Sequence, residues 1–237
     1  MKIGIFGDSY SDPHSHSITD NPLSWTNILK NKYSLNIANY SRGCTSSFWS
    51  LTRLREHIES IDAIVFVLTY SGRIYHPNSY LRLCNLSSVE GQLQSKNTSN
   101  SEIYEAAKQY YLYLDNTEFN DFVQSSIINE IKTLSAVHNK KLILIPAFRP
   151  IDFQSIFKMS LNDICIQEQK LVAGVDNRRM AETEKPTTAN HLLPINNEIL
   201  AEKVFQLLTD KINTVTLDDF DFSRCEDPNV YWDLSKL

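Results

Sequence analysis

Short runs of consecutive apolar residues alternate along the chain with longer segments whose apolar positions recur at helical spacing. Four of the runs have the length of buried strands, and they cover Lys2–Phe6, Ser34–Asn39, Ala63–Leu68 and Leu142–Pro146. Because each run looks apolar on both faces rather than alternating, it is typical of a parallel sheet that helices cover on both sides.

The segments between the runs carry helical periodicity. It predicts helices over Pro22–Lys32, Ser47–Ser60 and Glu118–His138, and a clear helix over about Ile195–Leu208. Strands that alternate with helices indicate βαβ units. The pattern therefore predicts an α/β fold, a three-layer sandwich with a central parallel sheet.

Two internal stretches and the last residues depart from this rhythm. Residues 74–117 look like an insertion, with a polar loop over 91–101 and a tyrosine-rich helix over 102–114 that either walls a substrate site or packs on the sheet. Residues 148–177 are irregular, with a candidate helix over 151–161. We expect one domain over residues 1–212 and an acidic-aromatic extension over 213–237, which either packs back on the domain or docks a partner.

Composition narrows the classes of function. A chain of 237 residues with 42% hydrophobic content can bury a sizeable core, and its net charge of -5 disfavours a nucleic-acid-binding protein. The first apolar run is too short for a signal peptide and no run reaches the length of a membrane span, so a cytoplasmic location is expected. Neither the scattered cysteines nor His14 and His16 have metal-ligand spacing, and no metal or cofactor is predicted.

The first strand leads into candidate chemistry. Lys2–Phe6 ends at Gly7, and Asp8 and Ser9 follow directly. A serine after a strand and a turn glycine can present its hydroxyl at the carboxyl edge of the sheet, where open α/β proteins place their chemistry. The alternative is an ordinary turn, because Gly, Asp and Ser are all common turn residues.

A histidine near the other end of the chain supplies a possible partner. His191 lies in the loop before the helix at Ile195–Leu208, and that loop can reach the same sheet edge as Ser9. A neutral imidazole can accept the proton of a serine hydroxyl and return it to a leaving group. The alternative is a histidine that only caps the start of the helix.

Together these segments resemble the SGNH, or GDSL-like, hydrolase superfamily, whose members share short sequence blocks in a fixed order. The resemblance runs from residue 1 to about residue 210. Gly7-Asp8-Ser9 matches the first block, and Asn190-His191-Leu192 before the final helix matches the last. The second block falls within 39–46, where Gly43 and Cys44 compete for the place of the family's glycine. In the third block Ser71 stands where the family has asparagine.

The resemblance implies a flavodoxin-like sheet and a serine esterase or deacetylase that hydrolyses an acyl ester, such as an acetyl group on a carbohydrate. In its terms Ser9 is the nucleophile and His191 the general base. The oxyanion hole comprises the amides of Ser9 and of Gly43 or Cys44, with the Ser71 hydroxyl as a shorter substitute for the family's amide side chain. The expected partner is a small-molecule or glycan ester.

In the family an acid three residues before the histidine orients the imidazole. In this chain that position is Thr188, so the acid has no counterpart there. Asp176 and Glu184 are nearby alternatives, and a Ser-His dyad without an acid is a third. Two rival functions therefore stay open: an acyltransferase that uses the same residues, and a non-catalytic protein that keeps the fold for binding or structure.

Overall fold

A four-stranded parallel sheet forms the centre of the computed structural model, which describes residues 1–14, 21–95, 100–150, 155–173 and 192–222. The strand order is β2-β1-β3-β4. The strands are β1 (Lys2–Phe6), β2 (Asn36–Asn39), β3 (Ala63–Leu68) and β4 (Lys141–Pro146). The four predicted strands are confirmed, although β2 begins two residues later than expected and β4 one residue earlier.

Burial differs between the inner and outer strands. Every residue of β3 is buried, and β1 is buried from Ile3 onward, because both strands have neighbours on each side. The prediction of full burial is wrong for β2, which is only half-buried, and for β4, which is partly buried, because both lie at the edges of the sheet.

Helices cover the two faces of this sheet. Within the described residues they are α1 (Trp25–Lys32), α2 (Ser47–His57, continued by a 3₁₀ turn to Ser60), α3 (Leu86–Gln94), α4 (Ser101–Tyr113), α5 (Thr117–Val137), α6 (Leu161–Ala173) and α7 (Pro194–Leu208). Side-chain N-caps begin several of them: Ser24 for α1, Ser46 for α2 and Asn116 for α5.

The alternation of side chains along β3 divides the core into two layers. Val65 and Val67 pack in one apolar cluster with residues of α1, α6 and α7. Ile64 and Phe66 point to the opposite face and pack with residues of α2 and α5. Both faces of the sheet are therefore covered by helices, and the predicted α/β three-layer architecture is confirmed.

The inserted segment forms a helix pair with an apolar cluster of its own. Its buried members include Val89 of α3 and Tyr104 of α4, and the Tyr111 hydroxyl donates to the Leu83 carbonyl at 2.7 Å. The predicted loop over 91–101 is wrong at its start, because α3 continues to Gln94 with Val89 and Leu93 facing the cluster. The buried tyrosine of α4 packs within this pair instead of on the sheet.

The sequence indicates a helix over 151–161, but residues 155–160, the part of that range that the structure describes before α6 begins at Leu161, contain no helix. The cause is a reciprocal cap: the Ser160 amide donates to Asp163 Oδ2 at 2.8 Å, and the Asp163 amide donates to Ser160 Oγ at 3.3 Å. This pair fixes the start of α6.

The described part of the C-terminal extension packs on the domain. Val215 pairs with Phe157 in a parallel bridge, and Phe220 is buried in the cluster beneath α7. The Lys203 ammonium of α7 donates to Asp219 at 2.6 Å. A boundary at residue 212 stays a prediction, and residues 223–237 lie outside the described residues.

Candidate active site

The carboxyl ends of β1 and β3 meet at the middle of the sheet. The chain passes from β1 to β2 on one side and from β3 to β4 on the other, so the strand order reverses between these two inner strands. Open α/β sheets bind ligands in the crevice at such a switch point. The residues that follow β1 and β3 are therefore the first place to look for chemistry.

Gly7 allows the tight turn that ends β1. A Cβ atom at this position would lie 2.7 Å from Val67 Cβ, which is too close for any side chain. The Asp8 carbonyl beyond it accepts from the amides of Ser11 and Asp12 at 3.0 and 2.9 Å. Ser9, 9% exposed, lies in this turn at the carboxyl end of the strand, where the sequence predicted a presented hydroxyl.

The Asp8 carboxylate joins the ends of β1 and β3. It is fully buried, and Oδ1 accepts the Tyr10 amide at 3.1 Å. Oδ2 accepts the Thr69 hydroxyl at 2.7 Å and forms an ion pair with Arg73 Nη1 at 2.8 Å. The turn that carries Ser9 is thereby fixed from the neighbouring strand.

Arg73 is the main element of the site that the sequence did not reveal. Its side chain is only 8% exposed. Besides the contact with Asp8, Nη1 donates to the Thr45 carbonyl at 3.1 Å, and the guanidinium carbon lies 5.3 Å from the centre of the Phe148 ring. The guanidinium thus links the segments that follow β1, β2 and β3.

The loop after β2 packs against the turn of Ser9. The Arg42 amide donates to the Gly7 carbonyl at 3.0 Å, and the Gly43 amide donates to Asp12 Oδ2 at 2.8 Å. Cys44 follows with a positive φ of 64°. Both candidate donors of the second block therefore lie in a loop fixed to the β1 turn, and the Gly43 amide is already engaged by a carboxylate.

Ser71, the third predicted oxyanion donor, is committed elsewhere. Its hydroxyl donates to Asp121 Oδ1 of α5 at 3.2 Å. Both residues line a cleft of about 280 Å³ beside the carboxyl end of β3, together with Thr69, Tyr70, Gln124, Phe148 and Arg149. This arrangement makes Ser71 part of a cleft wall.

Two cysteines of the site region are in contact. A hydrogen bond from the Cys44 thiol lowers the pKa of Cys84, whereas this bond and burial raise the pKa of Cys44. Cys84 also lies 3.1 Å from the Ser88 hydroxyl. The contact connects the loop after β2 with the inserted helix pair.

Hydrogen bonds connect Tyr10, the residue after Ser9, with Leu192, which lies two residues before the start of α7. The Trp25 indole donates to the Tyr10 carbonyl at 2.6 Å, and the Trp25 amide donates to Asn197 Oδ1 at 3.1 Å. Asn197 Nδ2 in turn donates to the Leu192 carbonyl at 2.9 Å. Two buried side chains therefore link Tyr10 to Leu192.

A buried carboxylate lies at the same end of α7. Glu168 is 4% exposed, and its Oε1 accepts the Leu193 amide at 3.0 Å and the Asn196 side chain at 2.7 Å. Burial raises the pKa of Glu168 to about 7 despite these two bonds. Nothing in the helical pattern of α6 marks Glu168 as buried, so the sequence did not predict its place at the site.

The remaining predicted residues lie outside the described residues: His191, Thr188, Asp176 and Glu184. The pairing of Ser9 with His191 stays a prediction, as does the identity of the orienting acid. In the described ranges no group of three or more His, Cys, Asp or Glu side chains is arranged to hold a metal ion, and no helix there is long and apolar enough to cross a membrane.

Comparison with known proteins gives structural similarities only. No family model and no curated protein matches the sequence. The psychrotrophic esterase EstA from Pseudoalteromonas sp. is similar at 14% identity and a TM-score of 0.40, over 90% of this chain and 99% of that one. A protein described as lipolytic and of the G-D-S-L family, from Desulfitobacterium hafniense, is similar at 9% identity and a TM-score of 0.39, over 87% and 98%.

The acetyl xylan esterase AlAXEase is similar at 13% identity and a TM-score of 0.35, over 87% of this chain and 98% of that one. Similarities of this size do not assign an activity to the chain.

Proposed function

We propose that this chain is a serine hydrolase of the SGNH type that cleaves an acyl ester, with Ser9 as nucleophile and His191 as general base. The observation that carries the proposal is the link from Tyr10 through Trp25 and Asn197 to Leu192. It ties the neighbour of Ser9 to the neighbour of His191, although more than 180 residues separate the two in sequence.

In the proposed reaction Ser9 Oγ attacks the carbonyl carbon of the ester while its proton passes to the His191 imidazole. The π electrons of the carbonyl move onto its oxygen and form a tetrahedral oxyanion. When this intermediate collapses, the bond to the alcohol oxygen breaks and the imidazolium proton goes to the leaving alcohol. His191 next takes a proton from water as the water oxygen attacks the acyl-serine. The second tetrahedral intermediate collapses, the bond to Ser9 Oγ breaks, and Oγ takes the proton from the imidazolium as the acid leaves.

The oxyanion needs donors that are fixed before the reaction begins. We assign two backbone donors, the amides of Ser9 and Cys44. The Cys44 amide is preferred to that of Gly43 because Asp12 already accepts the latter. The Ser71 hydroxyl, which donates to Asp121, contributes less than the resemblance implied.

A fluorophosphonate probe with mapping of the labelled peptide tests the nucleophile. We expect labelling at Ser9, its loss in Ser9→Ala and His191→Ala, and its retention in Ser126→Ala. Ser126 is a matched control because it is an exposed serine of α5 whose hydroxyl donates to the Phe122 carbonyl of the same helix. Labelling that survives in Ser9→Ala would show that another serine is the nucleophile.

Hydrolysis of p-nitrophenyl acetate and of an acetylated xylo-oligosaccharide tests the reaction on the same variants. We expect turnover that disappears with Ser9→Ala. Transfer of the acetyl group to an added alcohol in preference to water would indicate the acyltransferase. A folded wild-type protein with neither turnover nor labelling would favour the non-catalytic binding protein.

A further inference from the structure

We propose that the Arg73 guanidinium is the third oxyanion donor of this site and takes the place of the side-chain amide that the chain lacks. The inference rests on the proposed hydrolase function and adds to it a residue and a kind of donor. No resemblance points to it: it follows from where the side chain lies in the fold.

The first support is the position of the guanidinium. Its Nη1 contacts the Asp8 carboxylate at 2.8 Å and the Thr45 carbonyl at 3.1 Å. Asp8 directly precedes Ser9, and Thr45 directly follows Cys44. Arg73 is therefore anchored to the immediate neighbours of both proposed backbone donors.

The second support is the number of donors that remain. A guanidinium carries five N–H groups in a fixed plane. Both polar contacts that the structure gives this group, within the described residues, use Nη1. Nη2 and Nε are thus left to donate to a ligand, and the Phe148 ring 5.3 Å from the guanidinium carbon restricts the plane of the group.

A purely structural role explains these contacts less well. Asp8 also accepts the Tyr10 amide and the Thr69 hydroxyl, so the arginine supplies its carboxylate with a balancing charge rather than with a missing hydrogen bond. A lysine ammonium would neutralise the Asp8 carboxylate equally well. Only the planar guanidinium of an arginine can keep one nitrogen on Asp8 and donate from another nitrogen to a second anion. The oxyanion of a tetrahedral intermediate is such an anion.

Ser71, the other candidate for the third oxyanion donor, is already engaged. The Ser71 hydroxyl, which the strand register puts at the family's asparagine, donates to Asp121. Arg73 follows it by two residues and returns to the end of β1. The Asp8 carboxylate balances the charge of Arg73 inside the fold, so the guanidinium is already in place when the substrate oxygen becomes negative.

Three variants of the full-length protein test this inference: Arg73→Lys, Asp8→Asn, and the double variant Arg73→Met with Asp8→Asn. The lysine keeps the pair with Asp8 but has no second nitrogen, and the double variant avoids an unpaired buried charge. Arg55→Lys is the matched control, because Arg55 forms a surface ion pair with Glu130 at 2.6 Å. Thermal melts establish that each variant is folded.

We expect Arg73→Lys and the double variant to lower kcat for p-nitrophenyl acetate by about 100-fold to 1000-fold, as loss of one oxyanion donor does. KM should change by less than about threefold, since the donor acts on the transition state. Asp8→Asn, which keeps the guanidinium, should retain at least about tenfold more activity than the double variant. Arg55→Lys should match the wild type.

Several outcomes would overturn the inference and leave the proposed function intact. One is a folded Arg73→Lys with a kcat within about threefold of the wild type, which is far less than the loss of an oxyanion donor causes. Another is equal loss in Asp8→Asn and in the double variant, since the ion pair rather than the donor would then matter. A wild type without Ser9-dependent turnover or labelling would instead overturn the proposed function, and this inference with it.

Discussion

Glu168 shows how a single buried carboxylate can couple stability to pH. Its Oε1 accepts two hydrogen bonds beside the start of α7, yet burial raises the pKa to about 7 from the usual 4.5. The folded protein therefore holds the proton more tightly than the unfolded chain. Stability from this residue is fully present below pH 4.5 and is lost as the pH rises through 7.

Replacing this carboxyl with an amide should remove that dependence. In Glu168→Gln the amide oxygen can still accept from Leu193 and Asn196, but no charge develops. The variant and the wild type should have similar free energies of unfolding at pH 4.5, and the variant should be more stable by about 3 kcal/mol at pH 8. Urea unfolding at the two pH values measures the difference.

Glu198→Gln is the matched control for this comparison. Glu198 is an exposed residue of α7 that pairs with Lys32 at the surface, so its effect on unfolding should stay within about 1 kcal/mol at both pH values. If the difference in free energy of unfolding between Glu168→Gln and the wild type does not change with pH, the pKa of Glu168 is not raised by burial.

The orienting acid gives a second prediction at the scale of single residues. Since Thr188 occupies the usual aspartate position, we expect Asp176→Ala and Glu184→Ala to lower the rate of ester hydrolysis by less than about tenfold each. In a full triad the loss of the acid costs about ten thousandfold. Rates on p-nitrophenyl acetate, with folding checked by circular dichroism, decide between a dyad and a triad.

The sequence allowed some residues of the site to be predicted and not others. Ser9 was placed correctly at the end of β1 because a glycine and a buried strand precede it directly. Arg73 was missed because an arginine after a strand is usually exposed, and only the fold brings it to Asp8. Local pattern shows where a residue lies on its own element, but not what a distant segment brings against it.

At the scale of elements, prediction succeeded where one apolar pattern spans the whole element. The bounds of β1 and β3 were predicted correctly, since contiguous apolar residues define them. The candidate helix over 151–161 is wrong for residues 155–160, the part of it that the structure describes, because the cap formed by Ser160 and Asp163 starts α6 at Leu161. Periodicity does not reveal where a cap interrupts it.

The link between α1 and α7 leads to a prediction at this scale. Asn197→Ala removes the acceptor of the Trp25 amide and the donor to the Leu192 carbonyl, and both groups are left buried. We expect a loss of about 2–4 kcal/mol in the free energy of unfolding. Urea unfolding measures it.

Asn129→Ala serves as the control because Asn129 is an exposed residue of helix α5. Its effect should stay within about 0.5 kcal/mol. Equal stability of the two variants would show that the buried amide does not hold α1 and α7 together.

At the scale of the whole molecule, the described chain contains two layers of core around the sheet and a separate small cluster in the helix pair of α3 and α4. The small cluster has few members, Leu81, Leu83, Val89, Tyr104 and Ala107. A region with little buried apolar surface opens at a lower free energy than the main core. We therefore expect the helix pair to open without unfolding of the sheet.

Amide hydrogen exchange tests this independence. Val89→Ala removes two buried methyl groups, worth roughly 1.5 kcal/mol, and should speed exchange about tenfold within α3 and α4 but not in β3. Leu54→Ala, beneath the sheet, should cost about 2–5 kcal/mol and speed exchange throughout. Faster exchange of β3 in Val89→Ala would contradict a separate unit.

The place where this helix pair joins the sheet has a consequence for how such proteins can diversify. Arg73 is held by Asp8 and Thr45 just before the inserted segment leaves the sheet. The root of the insertion is therefore part of the candidate site, while its body packs mainly on its own residues. A lineage can lengthen, shorten or exchange the body and change what reaches the cleft, without moving the atoms that surround Ser9.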